Sequence, residues 1–530
     1  GTAMSDTLSA LLSPHPDDAP ALGAPDRPWL SHGGLRALAA RTVAALHGAG
    51  VGRGDRVAIV LPNGPEMAAA FVTIAQGAVT APLNPAYRLD EFDFYLEDLK
   101  AKAIVLPEGH DGPALEAARR HGLTVLWLAA EPAAPAGSFT LRAEGSAVTP
   151  ETGTPETGTP EIGTPDTAAP GPDDIALILH TSGTTSRPKI VPLLHRNVAA
   201  SARHIGAALA LTPADRCLNV MPLFHIHGLV AAVSASLAAG ASIWCAPGFD
   251  ALRFFGWLDA AEPTWYTAVP TMHQTILARA GRNAEILGRR RLRLIRSSSA
   301  SLPPQVMVEL AQTFGCPVIE SYGMTEAAHQ MASNPLPPRA QKPGSVGIAA
   351  GPEVRVAHEV EDRLLPPDAT GEVVISGPNV TPGYEGNAQA NAKSFFEAEG
   401  RRWFRTGDQG AFDAEGYLNL TGRLKEIINR GGEKVSPLEV DAVLMDHPGV
   451  AQVVTFAIPH PKLGEEVGAA VVLREGQAAT EREIRDFAAG RLADFKVPRK
   501  VVILAEIPKG ATGKLQRIGL AEKLGLVERA

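Results

Sequence analysis

The sequence predicts an α/β protein: a large N-terminal domain of parallel α/β sheets containing a small β-barrel-like subdomain, followed by a small C-terminal α+β domain. Three patterns lead there. Short apolar runs alternate with helical periodicity over residues 30–130 and again to about residue 335, the βαβ rhythm of a parallel sheet. Between 345 and 420 that rhythm gives way to short strands and turns. Beyond Arg423 a compact stretch mixes both patterns over a length that suits one small domain.

In chain order, 34–49 carries a helical repeat, 56–61 an apolar strand pattern and 65–77 a second helical repeat. Residues 79–82 and 103–106 are further strands. Between Pro150 and Thr167 the motif Pro-Glu-Thr-Gly-Thr repeats imperfectly. Almost without apolar side chains, this tract cannot offset its ordering entropy by burial, so 146–172 is expected to be a flexible surface insertion. Ile175-Ala176-Leu177-Ile178-Leu179 then reads as a buried strand. In the barrel-like unit, 353–356, 371–375 and 417–420 are strands; in the last domain 437–445 and 481–492 are helices, and 450–458 and 468–473 strands. The expected domains are 5–424 and 425–530.

At 530 residues the chain exceeds what one core supports, so about three or four packing units are expected. Composition is ordinary for a globular protein, 45% hydrophobic and 20% charged, with no apolar run long enough to span a bilayer. Nothing after Met4 has the basic-then-apolar layout of a signal peptide, and Val527-Glu528-Arg529-Ala530 is not a peroxisomal tripeptide. Cys217, Cys245 and Cys316 match no metal or disulfide framework, so a reducing cytoplasm is expected. The net charge of −8 argues against bulk nucleic-acid binding, and an anionic ligand must be held by local positive charge.

Five segments carry chemistry. His180-Thr181-Ser182-Gly183-Thr184-Thr185-Ser186-Arg187-Pro188-Lys189 offers hydroxyls, backbone N–H groups and fixed positive charge to a polyphosphate. Its spacing and proline do not fit the strand-to-helix GxxxxGK[ST] loop. Glu320-Ser321-Tyr322-Gly323-Met324-Thr325-Glu326 supplies a tyrosine able to stack on a purine and a threonine and carboxylate suited to a phosphate and Mg²⁺, although a capped helix start is an equal local reading. Arg405-Thr406-Gly407-Asp408, with Arg423 and Lys425 beyond it, offers an aspartate to ribose hydroxyls; locally, a turn aspartate beside a glycine fits better. Asn429-Arg430-Gly431-Gly432-Glu433-Lys434 and Pro508-Lys509-Gly510-Ala511-Thr512-Gly513-Lys514 complete the set.

In this order and at these separations, the five segments resemble the acyl-adenylate-forming superfamily of acyl-CoA synthetases, firefly luciferase and peptide-synthetase adenylation domains. The resemblance runs from about residue 30 to 520. It implies ATP, Mg²⁺ and coenzyme A as partners in two steps: a carboxylate attacks the α-phosphate and releases pyrophosphate, then the thiol of coenzyme A attacks the acyl-adenylate. It further implies that Thr181, Ser182, Gly183, Thr184, Thr185 and Lys189 hold the outer phosphates, Tyr322 lies on adenine, Thr325 touches the α-phosphate and Glu326 binds the metal. Asp408 and Arg423 would grip the ribose, and Lys514 would stabilise charge at the reacting phosphorus. A mobile C-terminal domain hinged at Lys425 would exchange Lys514 for the Gly431-Gly432 loop and Lys434 beside the coenzyme A tunnel; glycines there admit close approach of a pantetheine arm.

The acyl pocket departs from most of the superfamily. Ala327-Ala328-His329-Gln330, Arg296-Ser297-Ser298-Ser299 and Phe224-His225-Ile226-His227 place imidazoles and hydroxyls where apolar or small residues are usual. A long acyl chain would leave each such group buried without a partner, at about 1–3 kcal/mol apiece; a second carboxylate would satisfy them. These stretches are similar to those of the oxalate–CoA ligases of plants and fungi, which implies oxalate as the acid, with His225, His329 and Ser298 or Ser299 at its distal carboxylate. His225 also resembles a gate residue widespread in the superfamily, and His227 reads equally as a core residue. The alternatives are a ligase for another short or medium-chain or small aromatic acid, and an adenylating enzyme that loads a separate carrier protein.

Overall fold

The computed structural model describes residues 6–145, 163–181, 187–509 and 515–527. A seven-stranded sheet has the spatial order Phe139–Ala143, Thr124–Ala130, Ala103–Pro107, Arg56–Ile59, Val79–Pro82, Ile175–His180, Ile190–Leu194. Its inner pairings are parallel and only the strand at each edge is antiparallel. The nine-stranded sheet is also parallel through its centre, where Val318–Met324, Leu294–Ser297, Trp265–Ala268, Arg216–Asn219 and Ser242–Cys245 lie side by side.

Both sheets are buried on both faces, which is why their strands read as continuous apolar runs. Alternate residues serve different cores. Val57 and Ile59 enter the core shared between the sheets, whereas Ala58 and Val60 enter the layer beyond. Cys217, Trp265 and Leu294 join the shared core while Leu218, Tyr266 and Ile295 face outward into another. The shared core is filled by helices His32–Gly48, Pro65–Ile74 and His195–Ala208 and by the π-helix His227–Ser234. The first is started by Ser31, whose hydroxyl accepts from the Gly34 amide, and the second by Pro65, whose missing N–H suits a first turn.

The barrel-like unit is a five-stranded antiparallel sheet made by Glu353–Ala357, Gly371–Ser376, Phe395–Ala398, Arg401–Phe412 and Leu418–Arg423. A second five-stranded sheet lies beyond it in sequence, with Val450–His460 and Gly464–Leu473 as its long hairpin and Pro437–Met445 packed against it. This last unit shares apolar contacts with the outer face of the nine-stranded sheet. Its polar links to the preceding chain include Gln274 Nε2 to the Ala451 carbonyl at 2.9 Å and Gln305 Nε2 to that of Ala442 at 2.8 Å. Of the Pro-Glu-Thr-Gly-Thr tract, residues 146–162 lie outside the described residues; in the remainder, the Asp166 carbonyl accepts from the Arg53 amide at 2.8 Å.

One buried carboxyl stands out in the nine-stranded sheet. Glu320 is 2% exposed; its Oε2 accepts from the Leu302 amide at 3.0 Å, and Oε1 has no partner among the described residues. Burial pushes its pKa from 4.5 up to about 8, the Leu302 amide opposing. The unfolded chain therefore releases this proton near pH 4.5 while the native protein keeps it, so native stability drains away as pH rises from there toward 8. Glu320→Gln is expected to raise the melting temperature over wild type at pH 8 and to leave it little changed at pH 4.5; an equal gain at both values would contradict this assignment.

Candidate functional site

The hydroxyl-rich segment is a hairpin connection, not a strand-to-helix turn. Ile175–His180 and Ile190–Leu194 run antiparallel, and at the base of the connection the Thr181 amide donates to the Lys189 carbonyl while the Lys189 amide donates to Thr181 Oγ1, both at 2.9 Å. Ser182, Gly183, Thr184 and Thr185 lie outside the described residues. The flanks are braced by one carboxylate: Asp98 meets His180 Nε2 at 3.0 Å and Arg187 Nη2 at 3.3 Å. Burial holds the His180 pKa below its ordinary value, with Asp98 opposing.

Facing this hairpin, Val318–Met324 runs into the short 3₁₀ turn Thr325–Ala327. Tyr322 donates its hydroxyl to Asp408 on Arg401–Phe412, and Asp408 also pairs with Arg423 Nη1 at 3.1 Å across the adjoining strand. Three of the expected nucleotide residues thus meet, with Tyr322 fixed by its phenol end and the Arg423 side chain still half exposed. Thr325 is half-buried beside them. Glu326 is buried and its Oε2 accepts from the Tyr384 hydroxyl at 2.6 Å; the Tyr384 ring in turn lies 5.4 Å from Lys189 Nζ. Burial and the Glu326 carboxylate push the Tyr384 phenol far up, so it acts as a neutral donor. Tyr384 thereby links the expected metal carboxylate to the lysine of the expected phosphate-binding segment. Local sequence gave no signal for it, because its relevance exists only once two distant segments meet.

The residues expected on the acyl side gather where parallel strands of the nine-stranded sheet end, the usual location of ligands in open α/β sheets. His329 opens the strand His329–Ser333 and is 1% exposed at φ +97°, a conformation side-chain-bearing residues rarely adopt. Gly323 is obligatory opposite it, since a Cβ there would lie 2.3 Å from the His329 carbonyl oxygen. The His329 ring stacks on His227 at 5.0 Å. His227 Nδ1 is 2.9 Å from Ser299 Oγ and its Nε2 is 2.6 Å from Thr267 Oγ1. Ser298 is fully buried and donates to the Ser321 carbonyl at 3.2 Å, while Ser299 is half-buried. His225 is half-buried one residue before the π-helix cap.

Behind the stacked rings sits Arg296, wholly buried. Its Nη2 donates to Gln330 Oε1 at 3.1 Å and its Nη1 lies 3.4 Å from Thr267 Oγ1 and 3.5 Å from His227 Nε2. No carboxylate pairs with it among the described residues, and burial pulls its pKa down to about 9. In the sequence Arg296 is only part of the Arg296-Ser297-Ser298-Ser299 wall, and nothing local shows that its side chain turns inward.

Lys514 lies outside the described residues, but its neighbours are placed. Leu515 and Arg517 line a small cleft of about 70 Å³ with Ala300 and Ser301, and Arg517 is anchored by Asp441 at 2.6 Å. A larger cleft of about 360 Å³ between Ser301, Glu320, Thr421 and Ser436 adjoins it. Lys425 is exposed in the turn after Leu418–Arg423. Gly431 and Gly432, at φ +59° and +93°, form the two-residue turn joining Ile428–Arg430 to Glu433–Val435, a geometry that demands glycine there. Both are exposed, as is Lys434. Among the described residues no three His, Cys, Asp or Glu side chains are placed to hold a metal, and no helix is long and apolar enough to cross a membrane.

Residues 11–385 match the family described as AMP-binding enzyme, and 439–514 match the AMP-binding enzyme C-terminal domain. The oxalate–CoA ligase of Arabidopsis thaliana is 44% identical over 97% of this chain and 98% of its own length. That of Saccharomyces cerevisiae is 41% identical over 90% and 88%. Among solved structures, ATP-bound MatB from Rhodopseudomonas palustris superposes with a TM-score of 0.83 at 30% identity, covering 98% of both chains, whereas the apo form gives 0.75. With its large N-terminal part and its C-terminal unit both matched, and with relatives above 40% identity over nearly its full length, this protein belongs to the AMP-binding enzyme family.

Proposed function

We propose that this protein is an ATP-dependent, AMP-forming acid–CoA ligase whose acid is oxalate. The observation that carries the choice of acid is the buried, carboxylate-free guanidinium of Arg296 behind two stacked imidazoles and a half-buried serine hydroxyl. A buried cation without a counter-charge is costly, and an alkyl or aryl tail against it would leave that cost standing. A small acid with a second carboxylate supplies negative charge and acceptors together. The two oxalate–CoA ligases among its relatives support the same reading. Three free, buried cysteines fit a reducing, cytoplasmic setting.

In the first step, ATP would lie with its outer phosphates on the 181–189 hairpin, where Thr181, Ser182, Gly183, Thr184, Thr185 and Lys189 supply donors and positive charge. Tyr322 would flank the adenine while Asp408 and Arg423 hold the ribose. Thr325 would contact the α-phosphate. Glu326 fits Mg²⁺ as a hard oxygen ligand held in place by Tyr384; as a single carboxylate it would need phosphate oxygens and water to complete the shell. Bound there, the metal would supply charge neutralisation of the triphosphate. Lys514 would meet the charge that grows on the α-phosphoryl oxygens as the carboxylate attacks and pyrophosphate leaves. The greater likeness to ATP-bound than to apo MatB supports an arrangement competent for this step.

For the second step, the C-terminal unit, residues 425–530, would rotate about Lys425 and bring the exposed Gly431–Gly432 turn and Lys434 to the coenzyme A path. His225 would stand at the entry to the acyl pocket, with Ser299 and His329 at the distal carboxylate.

Pyrophosphate release with ATP across oxalate, malonate, benzoate and hexanoate, with and without coenzyme A, tests the assignment. Oxalate is expected to exceed hexanoate in kcat/KM by at least about 100-fold, as two or more unpaired buried polar groups would cost the wrong acid; equal turnover of the two would contradict it. Lys514→Ala is expected to lower adenylate formation by about 100-fold or more, the scale of losing one transition-state donor, and to leave thioester formation from supplied oxalyl-adenylate largely intact. Undiminished pyrophosphate release in that variant would remove Lys514 from the first step.

A further inference from the structure

A chain of hydrogen bonds runs from Arg296 to the rim of the acyl pocket, and its direction is set at its buried end. Arg296 Nη1 lies 3.4 Å from Thr267 Oγ1, Thr267 Oγ1 lies 2.6 Å from His227 Nε2, and His227 Nδ1 lies 2.9 Å from Ser299 Oγ. Arg296, Thr267 and His227 are all fully buried. A guanidinium can only donate, so the Thr267 oxygen accepts from Arg296 with one of its two lone pairs and still has its one hydrogen to give. The direct approach of Arg296 Nη1 to His227 Nε2, 3.5 Å, imposes the same role on that nitrogen. A ring nitrogen that accepts carries no hydrogen, which leaves His227 neutral with its hydrogen on Nδ1. A protonated His227 would set two cations 3.5 Å apart in a fully buried site and leave the Thr267 hydrogen with no acceptor.

The consequence falls on Ser299. Its oxygen receives the Nδ1 hydrogen of His227, and its own hydroxyl hydrogen has to point elsewhere. Ser299 has no other hydrogen-bond partner among the described residues, and it is the half-exposed member of the chain, held at φ +75° just past the strand Leu294–Ser297. We propose that Arg296, acting through Thr267 and His227, is a positioning group that fixes Ser299 as a hydrogen-bond donor toward the acyl pocket. The site would then select acids with a second acceptor, a carboxylate above all, next to the reacting carboxylate. This deepens the oxalate assignment and rests on it for the identity of the acceptor, but not for the direction of the chain.

Thr267→Val removes the relaying hydroxyl at nearly constant shape, and Thr267→Ser restores it. The readout is kcat/KM for oxalate against acetate, an acid of similar size with a methyl in place of the second carboxylate. Thr267→Val is expected to lower the oxalate-to-acetate ratio by about tenfold, the scale of one hydrogen bond to a charged group, mainly through KM for oxalate, with Thr267→Ser near wild type. A ratio unchanged in a folded Thr267→Val protein would overturn the proposal. Independently, nitrogen-15 NMR of histidine-labelled wild-type protein, with the His227 signal assigned by its loss in His227→Gln, is expected to show the hydrogen on Nδ1; a hydrogen on Nε2 would overturn it whatever the kinetics. Should wild type show no preference for oxalate over acetate while His227 carries Nδ1–H, the choice of acid fails and the hydrogen-bond chain stands.

Discussion

A guanidinium sealed inside the protein without a carboxylate is the constraint around which the candidate acyl site is arranged. Its neighbours are neutral acceptors, Gln330, Thr267 and His227, and each is oriented by the need to receive its hydrogens. Gln330 passes the demand on to the Ala350 carbonyl and His227 passes it to Ser299. Structural stability alone gives no reason to keep such a charge, since replacing buried ionic groups by apolar ones is often neutral or stabilising. The proposed doubly charged acid would supply one.

The candidate nucleotide side follows a complementary logic. The Asp408 carboxylate is shared between Tyr322 and Arg423, and Glu326 is steadied by Tyr384. Two carboxylates, one suited to hydroxyls and one to a hard cation, are thus kept apart by neutral phenols. Both lie beside the hairpin whose base is closed by Thr181 and Lys189. The halves of the site are supplied by different sheets and by the antiparallel unit that follows them, so its geometry is a product of how those units pack.

This division explains what the sequence made legible. The strands 56–61, 103–106 and 175–179 announced themselves because parallel strands buried on both faces must be apolar throughout. The hydroxyl-rich segment does not fit a strand-to-helix loop by its spacing, and the strands that flank it pair antiparallel. Gly431 and Gly432 were valued for room near a ligand; the turn dihedrals supply a second reason for both. The roles of Arg296, Thr267, Gln330 and Tyr384 are not legible locally because a single polar residue in a strand or loop carries no periodic signal, and their meaning lies in partners far away in the chain. Ser298 and Ser299 could not be told apart from sequence. Burial and bonding separate them: the first donates to the backbone of a neighbouring strand, and the second faces the histidines.

The most direct test is a crystal structure of the protein with ATP and oxalate. It is expected to show a small acid seated between the α-phosphate and His329, its far carboxylate within hydrogen-bond distance of Ser299 Oγ. A roomy apolar channel leading past His329, or a bound acid with its tail turned away from Ser299, would contradict the claim that a buried cation selects a doubly charged substrate.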